Sequence, residues 1–308
     1  MSSEISAPPA AHLALAVVPA APREAAVGAV GTASREAGLA QLLQTAADGG
    51  IRRILTRPEG DDERTLCQAW PFPSPFQVSV TTLDAAEGPD RIEARARRSL
   101  ERLGLPRGDV LLVRDGRDLA GAEGRALWER LVALKDRGLF RRIGIRTRLE
   151  DSPVLVTRRF QPDLIQLPLN ILDQRARRDG VLSALAEQGV AVQLASVMAN
   201  GLLFAGSDEM VGASAADVVL LSRLRRRLAE ARLDPMQAAL AYAGDSLTGM
   251  AEGSSLLACV TSAAETRALL AAVNAPRPDL DWTVFDQGGR LAATGDAAAA
   301  FSGISSAA

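Results

Sequence analysis

Short apolar runs alternate along the chain with longer segments in which apolar residues recur every few positions. The pattern is clearest where Leu100 and Leu103 lie on one face of an arginine-rich segment, Gly104 and Pro106 interrupt it, and Val110–Val113 follows as an unbroken apolar run. A helical apolar period predicts an amphipathic helix, and glycine followed by proline predicts its end. An unbroken apolar run is typical of a strand that is covered on both faces of a parallel sheet. The stretch therefore predicts a helix, a turn and a buried strand.

The same alternation recurs along the chain, with glycine at most of the connections. The predicted strands are Leu13–Val18, Ile51–Thr56, Phe76–Thr82, Asp109–Arg114, Arg141–Thr147, Asp163–Pro168, Val190–Ser196 and Leu256–Thr261. The predicted helices are Arg35–Ala47, Asp61–Trp70, Asp90–Leu103, Glu123–Arg137, Arg175–Gln188, Asp217–Ala231, Pro235–Ala243 and Ala264–Val273, with a short helix or loop at Pro153–Arg159. Because parallel strands need crossover helices, about eight such repeats predict an α/β fold of the TIM (β/α)8 barrel type.

A doubly wound open sheet is the alternative fold for this pattern. Such a sheet usually carries a glycine-rich phosphate loop after an early strand. The glycines at Gly28 and Gly31 do not have that spacing, which favours the barrel.

The ends of the chain differ in composition from the part that carries the alternation. Residues 1–11 are rich in alanine, serine and proline and are predicted to be a disordered tail. Residues 291–308 are rich in alanine, serine and glycine and are predicted to be a mobile tail. Residues 12–290 are left as a single barrel domain, close to the roughly 250 residues typical of this fold.

Charge, cysteines and hydropathy exclude several classes of function. A net charge of -2 argues against a nucleic-acid-binding surface, which has to be basic. Cys67 and Cys259 lie far apart, show no metal-ligand spacing and are expected to be free thiols in a reducing compartment. The apolar stretch from Leu13 to Ala21 is about half a membrane span and lacks a basic leader. We therefore expect a cytoplasmic protein without a metal site or a membrane insertion.

Several ordered segments resemble the aldo-keto reductase family, at the matching places of a barrel. They are Arg97–Arg114, Arg142–Ile145, Pro162–Asp173, Gly201–Leu203 and Val260–Glu265, within a similarity that extends from about Ala46 to Trp282. One such segment alone is a weak signal, whereas several in the correct order are specific. The resemblance implies a barrel of the aldo-keto reductase type, whose members reduce carbonyl groups with a nicotinamide cofactor.

The resemblance also identifies the four positions at which the family carries its catalytic Asp, Tyr, Lys and His. In this chain those positions hold Leu55, Glu59, Thr82 and Arg114. In the family the Tyr hydroxyl donates a proton, the Lys lowers its pKa, the Asp holds the Lys, and the His orients the carbonyl oxygen. The only histidine, His12, and the only tyrosine, Tyr242, lie outside this pattern. By the resemblance, the chain is predicted to have no catalytic residues of the usual kind.

A weakened site for NAD(H) or NADP(H) is the cofactor interpretation that the resemblance implies. The candidate cofactor-binding residues are Gln166, Arg146, Thr147, Ser196, Thr261, Ser262 and Arg267. Gln166 matches a position that contacts the nicotinamide amide, whereas Arg146 and Thr147 replace a Ser-Asn pair. Thr261 and Ser262 retain hydroxyl groups at the start of a predicted helix, a place that favours phosphate.

Two main hypotheses of function remain, beside a third possibility, a purely structural scaffold that neither binds a dinucleotide nor turns over a substrate. The first is a catalytically inactive or impaired homologue that acts as a regulatory protein and is gated by NAD(H). It resembles the KidO-type regulators of cell division and cell fate in alphaproteobacteria, whose partners are FtsZ and a sensor histidine kinase. The second is an NAD(P)H-dependent oxidoreductase with a rebuilt site around Glu59, Arg114 and Asp115. Because arginine keeps its proton and depresses the pKa of an adjacent carboxyl group, a structural charge pair is the favoured interpretation of these residues.

Overall fold

Eight parallel strands close into a barrel in the order in which they occur along the chain. The computed structural model describes residues 9–17, 29–58, 62–204, 215–278 and 280–286. The strands are β1 (Leu13–Val17), β2 (Arg53–Thr56), β3 (Gln77–Thr81), β4 (Gly108–Val113), β5 (Phe140–Arg146), β6 (Leu164–Pro168), β7 (Ala191–Ala195) and β8 (Ser255–Val260). β8 pairs with β1 and completes the ring. The predicted TIM-type barrel is confirmed.

Helices surround the barrel and supply the crossovers between its strands. In the described residues they are α1 (Ala29–Asp48), α2 (Asp62–Ala69), α3 (Pro89–Arg102), α4 (Gly121–Asp136), α5 (Pro153–Phe160), α6 (Arg175–Arg178), α7 (Val181–Glu187), α8 (Ala215–Glu230), α9 (Pro235–Asp245) and α10 (Ala263–Asn274). The single helix predicted over Arg175–Gln188 is wrong, because the chain breaks it into α6 and α7. Gly180 lies at the break with a φ of 74°, in the left-handed region that glycine adopts at little cost.

Small residues on two strands make room inside the barrel for long polar side chains. Ala14 and Ala16 of β1 and Ala191 and Ala195 of β7 belong to the inner cluster, which is separate from the larger core between the strands and the helices. Because side chains alternate between the two faces of a strand, the remaining strands send longer residues toward the same space. The interior is therefore part apolar and part polar, and its polar part leads to the functional site.

A buried ion cluster joins α2 to α3 and to the connection after β2. Glu63 is fully buried, and its carboxylate lies 2.8 Å from a guanidinium nitrogen of Arg95 and 3.4 Å from Nε of Arg102. Arg95 also donates to the carbonyl oxygen of Pro58, at 3.1 Å from Nε and 2.6 Å from Nη2. The cluster therefore anchors the backbone at Pro58, next to the position of Glu59.

The ends of the chain fall largely outside the described residues. Pro9–His12 forms a short 3-10 helix ahead of β1, with Ala10 buried. Of the predicted tails, residues 1–8 and 291–308 are not described. Within the described ranges, no helix combines the length and the apolar character needed to cross a bilayer.

Candidate functional site

A chain of hydrogen bonds crosses the barrel interior below its carboxyl-terminal mouth. Arg146 of β5 donates from Nε to Oε1 of Gln166 on β6 at 2.9 Å, and Gln166 donates from Nε2 to Oε1 of Gln193 on β7 at 2.7 Å. Gln193 then donates from Nε2 to Oγ of Ser255 on β8 at 3.2 Å. The four residues are register partners on consecutive strands, which explains why their side chains meet.

This chain of contacts engages both ends of the Gln166 side-chain amide. Its oxygen accepts from Arg146 and its nitrogen donates to Gln193, and the side chain is buried. A buried amide gives up such partners only for equivalent ones, because an unpaired buried polar group costs about 1 to 3 kcal/mol. A nicotinamide carboxamide would therefore compete with contacts that the folded chain already makes.

Arginines also stand at or directly after the carboxyl-terminal ends of three strands, around the mouth of the barrel. Arg57 follows β2, Arg114 follows β4 and Arg146 ends β5, and all three are half-buried. Cys259 on β8 is exposed to solvent, yet the surrounding protein desolvates its thiol and raises the thiol pKa to about 11, while the nearby Arg57 and Arg146 act in the opposite direction. The thiol is therefore protonated near neutral pH. The mouth combines a neutral thiol with guanidinium groups that keep their protons at any working pH.

Three of the four positions that the family resemblance marks as catalytic lie at or near this mouth. Leu55 is buried in the inner cluster, and Thr82 is buried with its hydroxyl accepting the backbone N–H of Arg114 at 3.1 Å. Arg114 itself stands directly after β4. Glu59 lies outside the described residues. Thr82 thus binds the backbone that carries Arg114.

A carboxyl group that the sequence analysis did not single out lies beside Arg114. Burial and the carboxylates of Asp84 and Asp115 raise the pKa of Asp118 to about 6, although Arg114 acts in the opposite direction. Asp115 itself accepts from Arg117 at 2.6 Å and from Arg148 at 3.4 Å. Among the described residues at this end of the barrel, Asp118 is therefore an acid whose protonation changes near pH 6.

The raised pKa of Asp118 predicts a specific dependence of stability on pH. Between about pH 4 and pH 6 the folded state binds a proton that the unfolded state has lost, so the free energy of unfolding falls as pH rises. We expect Asp118→Asn to flatten this slope. The free energy of unfolding of the variant minus that of the wild type should therefore be larger at about pH 7.5 than at about pH 4.5. Urea unfolding at both pH values measures the effect. Asp136→Asn, on an exposed face of α4, should keep the wild-type slope, and an unchanged slope in Asp118→Asn would contradict the assignment.

The turn between β8 and α10 holds a carboxylate of the chain itself. Glu265 accepts from the backbone N–H of Thr261 and from its hydroxyl, both at 2.8 Å. Ser262 caps α10 by accepting the backbone N–H of Glu265 at 3.2 Å. The candidate phosphate-binding residues Thr261 and Ser262 therefore already surround an anionic group. The Ser-x-x-Glu spacing is a capping-box signature that could have been read from the sequence.

The remaining candidate cofactor residues are placed differently. Thr147 is buried, and its backbone N–H donates to the carbonyl oxygen of Gln166 at 2.8 Å. Ser196 follows β7 with a φ of 56°, in the left-handed region. Arg267 lies on the exposed face of α10. The structure thus brings Arg146, Thr147 and Gln166 together, whereas Arg267 shares the β8–α10 region with Thr261 and Ser262.

The residues that sequence reasoning missed are Gln193, Ser255 and Asp118. Gln193 and Ser255 are the polar residues of otherwise apolar strands, so they could have been recognised as interior polar positions. Asp118 could not be found from the sequence, because the raised pKa of its carboxyl group arises first from burial in the fold and then from Asp84, which is distant in sequence, as well as from the nearby Asp115.

Comparisons with known proteins identify the family of the chain and agree with its fold. The model of the Aldo/keto reductase family matches residues 80–288, about two thirds of the chain. No curated protein matches the chain significantly.

Among solved structures, the chain is similar to the holo form of the aldo-keto reductase AKR11C1 from Bacillus halodurans, with 18% identity and a TM-score of 0.67 over 87% of this chain and 88% of that one. It is also similar to the Bombyx mori aldo-keto reductase AKR2E4 in complex with NADP, with 16% identity and a TM-score of 0.62 over 91% and 90% of the two chains. An aldose reductase from Giardia lamblia shares 15% identity and a TM-score of 0.62 over 90% and 91%. At these identities the likeness shows the fold, and the family match carries the assignment. The chain belongs to the aldo/keto reductase family.

Proposed function

We propose that this chain is a member of the family that has lost carbonyl reduction and acts as a regulatory protein. The observation that carries the proposal is the mouth of the barrel, where Arg57 and Arg146 lie near the protonated thiol of Cys259 and Arg114 follows β4. General acid catalysis needs a group that releases its proton near the working pH, and arginine does not. At the positions of the family's Asp, Lys and His, the chain holds Leu55, Thr82 and Arg114.

The ligand of this regulatory barrel, on our proposal, is NAD(H) or NADP(H) in a weakened site. When bound, the cofactor supplies a nicotinamide ring for hydride chemistry and phosphate groups for recognition. The residues present fit it only in part. Thr261 and Ser262 suit a phosphate once Glu265 has moved, but the amide of Gln166 is engaged by Arg146 and Gln193. We therefore derive no reaction step through the cofactor.

The division-regulator resemblance leads us to propose protein partners for the chain. We propose FtsZ and a sensor histidine kinase, as for KidO-type regulators, with the dinucleotide changing their affinity. Family membership and the arginine-rich mouth are compatible with this role. A pull-down of purified FtsZ and of the kinase, with and without NADH, tests it. We expect capture that depends on NADH, and absence of capture under both conditions would remove the division role.

Dinucleotide binding is expected to strengthen when Glu265 is neutralised. In Glu265→Gln the phosphate no longer competes with a carboxylate for Thr261, so we expect NADPH affinity to rise about tenfold, which corresponds to about 1.4 kcal/mol. NADPH fluorescence titration measures it, with Glu129→Gln on an exposed face of α4 as the matched control. Equal affinity of all three proteins would contradict a phosphate site at this turn.

An oxidoreductase with a rebuilt site is the second candidate function. The Asp118 carboxyl favours it, because a pKa of about 6 allows proton donation near neutral pH. NADPH oxidation with a panel of small aldehydes separates the two functions. We expect no turnover. Turnover that is lost in both Asp118→Asn and Glu59→Gln would overturn the regulatory proposal in favour of the enzyme.

A further inference from the structure

A cavity of about 610 Å³ opens at the end of the barrel opposite the mouth. We call it the floor cavity. Its wall includes Arg142 of β5, the segment that enters β7 at Val190 and Ala191, and Glu252 ahead of β8. Thr157 and Arg158 of α5 form another side. The volume is within the range of small-molecule sites, about 300 to 1,000 Å³.

Two arginines and two acids line this cavity. Arg142 donates to Oδ2 of the buried Asp109 at 2.7 Å. Burial and the charge of Arg142 lower the pKa of the neighbouring Arg53, while Asp109 acts in the opposite direction. Two guanidinium groups thus lie near the Asp109 carboxylate at the barrel floor, an arrangement that a further anion would stabilise.

The backbone ahead of β8 leaves space for the Arg142 side chain. Gly253 has a φ of +88°, and a Cβ at this position would lie 2.8 Å from Nη1 of Arg142. The glycine therefore lets the guanidinium approach the chain closely. This places Arg142 between β5 and β8 at the cavity wall.

A buried hydroxyl of a cavity-lining residue has no partner among the described residues. Thr157 is 4% exposed, and its Oγ1 makes no hydrogen bond there. Such a group costs about 1 to 3 kcal/mol unless a ligand or water pairs with it. The oxygen is closed to solvent in this structure, so the Thr157 side chain has to rotate before the hydroxyl can donate to a ligand beside Arg158, an exposed cation of the same helix.

The two acidic side chains of the cavity wall do not occupy the groups that would donate hydrogen bonds to an anion. Asp163 accepts from Lys135 with both oxygens at 2.6 Å and from the backbone N–H of Ile143 at 2.8 Å. Its charge is thereby compensated within the fold. Glu252 is exposed, so its carboxylate is hydrated.

We propose that the floor cavity binds a small organic anion, with its carboxylate or phosphate group held by Arg142, Arg158 and the hydroxyl of Thr157. The apolar part of the ligand packs against Pro162, Val190 and Ala191. The site goes beyond the proposed function, because it lies at the opposite end of the barrel from the mouth and involves none of the candidate dinucleotide residues.

Calorimetric titration of the full chain with inorganic phosphate and with malonate, at matched ionic strength, tests the proposal. We expect saturable binding of at least one probe, and the tighter probe identifies the acidic group. Arg158→Gln should weaken it about fivefold, and Glu252→Gln should strengthen it about twofold, as expected for partly exposed charges. Arg159→Gln, the adjacent exposed arginine of α5, should leave affinity unchanged.

Thr157→Val separates a binding role from a structural one. The free protein should be as stable as the wild type or more stable, because an unpaired buried hydroxyl is removed, while anion affinity falls. None of these variants should change NADPH affinity, so the outcome is independent of the mouth. Absence of saturable binding by both probes would overturn the proposal, as would equal effects of Arg158→Gln and Arg159→Gln or unchanged affinity in Thr157→Val.

Discussion

Glu63→Ala is expected to destabilise the fold by about 3 to 5 kcal/mol. The Glu63 side chain is fully buried between Arg95 and Arg102. Its removal leaves guanidinium groups in the interior without their shared carboxylate. The energy comes less from the lost attraction than from the uncompensated buried charge.

Removal of the Glu63 carboxylate should also affect the backbone of the connection after β2. Arg95 holds the carbonyl oxygen of Pro58 while it pairs with Glu63, so a displaced Arg95 releases this backbone anchor. Urea unfolding followed by circular dichroism measures the stability change. Glu101→Ala, an exposed acid on α3, is the matched control and should change stability by less than about 0.5 kcal/mol. A cost below about 1 kcal/mol for Glu63→Ala would show that the cluster is dispensable.

Gln193→Leu is expected to cost about 2 to 4 kcal/mol, although leucine is close to glutamine in size. The substitution removes the acceptor of Gln166 and the donor to Ser255 at once. Both partners are buried, so water cannot replace the lost contacts. Thermal and urea unfolding measure the effect, with Gln44→Leu on the exposed face of α1 as the control.

A double variant tests whether the interior residues act as a unit. In Gln166→Leu/Gln193→Leu both amides are removed, so neither is left buried without its partner. The loss in free energy of unfolding should therefore be at least about 1 kcal/mol smaller than the sum of the losses in the two single variants. Additive costs would show that the amides contribute independently. That result would contradict the connected chain of contacts through the interior.

The fold could be predicted from the sequence because the apolar pattern that indicates each strand lies within a few consecutive residues. The eight predicted strands agree with the observed ones within about two residues, since a buried parallel strand appears as an apolar run. The helix over Arg175–Gln188 was predicted as one piece because its apolar period continues across Gly180. The left-handed backbone at that glycine decides the break, and a side-chain pattern does not report it.

The candidate site was predictable only where position along a strand determines contact. The family resemblance identified Arg146 and Gln166 as candidates, and register brings them together. The Ser-x-x-Glu spacing predicts the start of α10, but a capping box would bring Glu265 to the backbone N–H of Ser262. In the structure Glu265 accepts from Thr261 instead, so this contact could not be predicted from the spacing. The environment of Asp118 arises from residues on different loops, so only the folded chain reveals it.

The closure of the sheet limits how a protein partner can recognise this molecule. Each of the eight strands has a neighbour on both sides, so the sheet offers no free row of backbone donors and acceptors. A partner that extends its own strand along an open sheet edge, a common mode of peptide capture, finds no place to do so on this barrel. Recognition through the described part of the chain must instead use side chains on the outer helices or on the loops at either end.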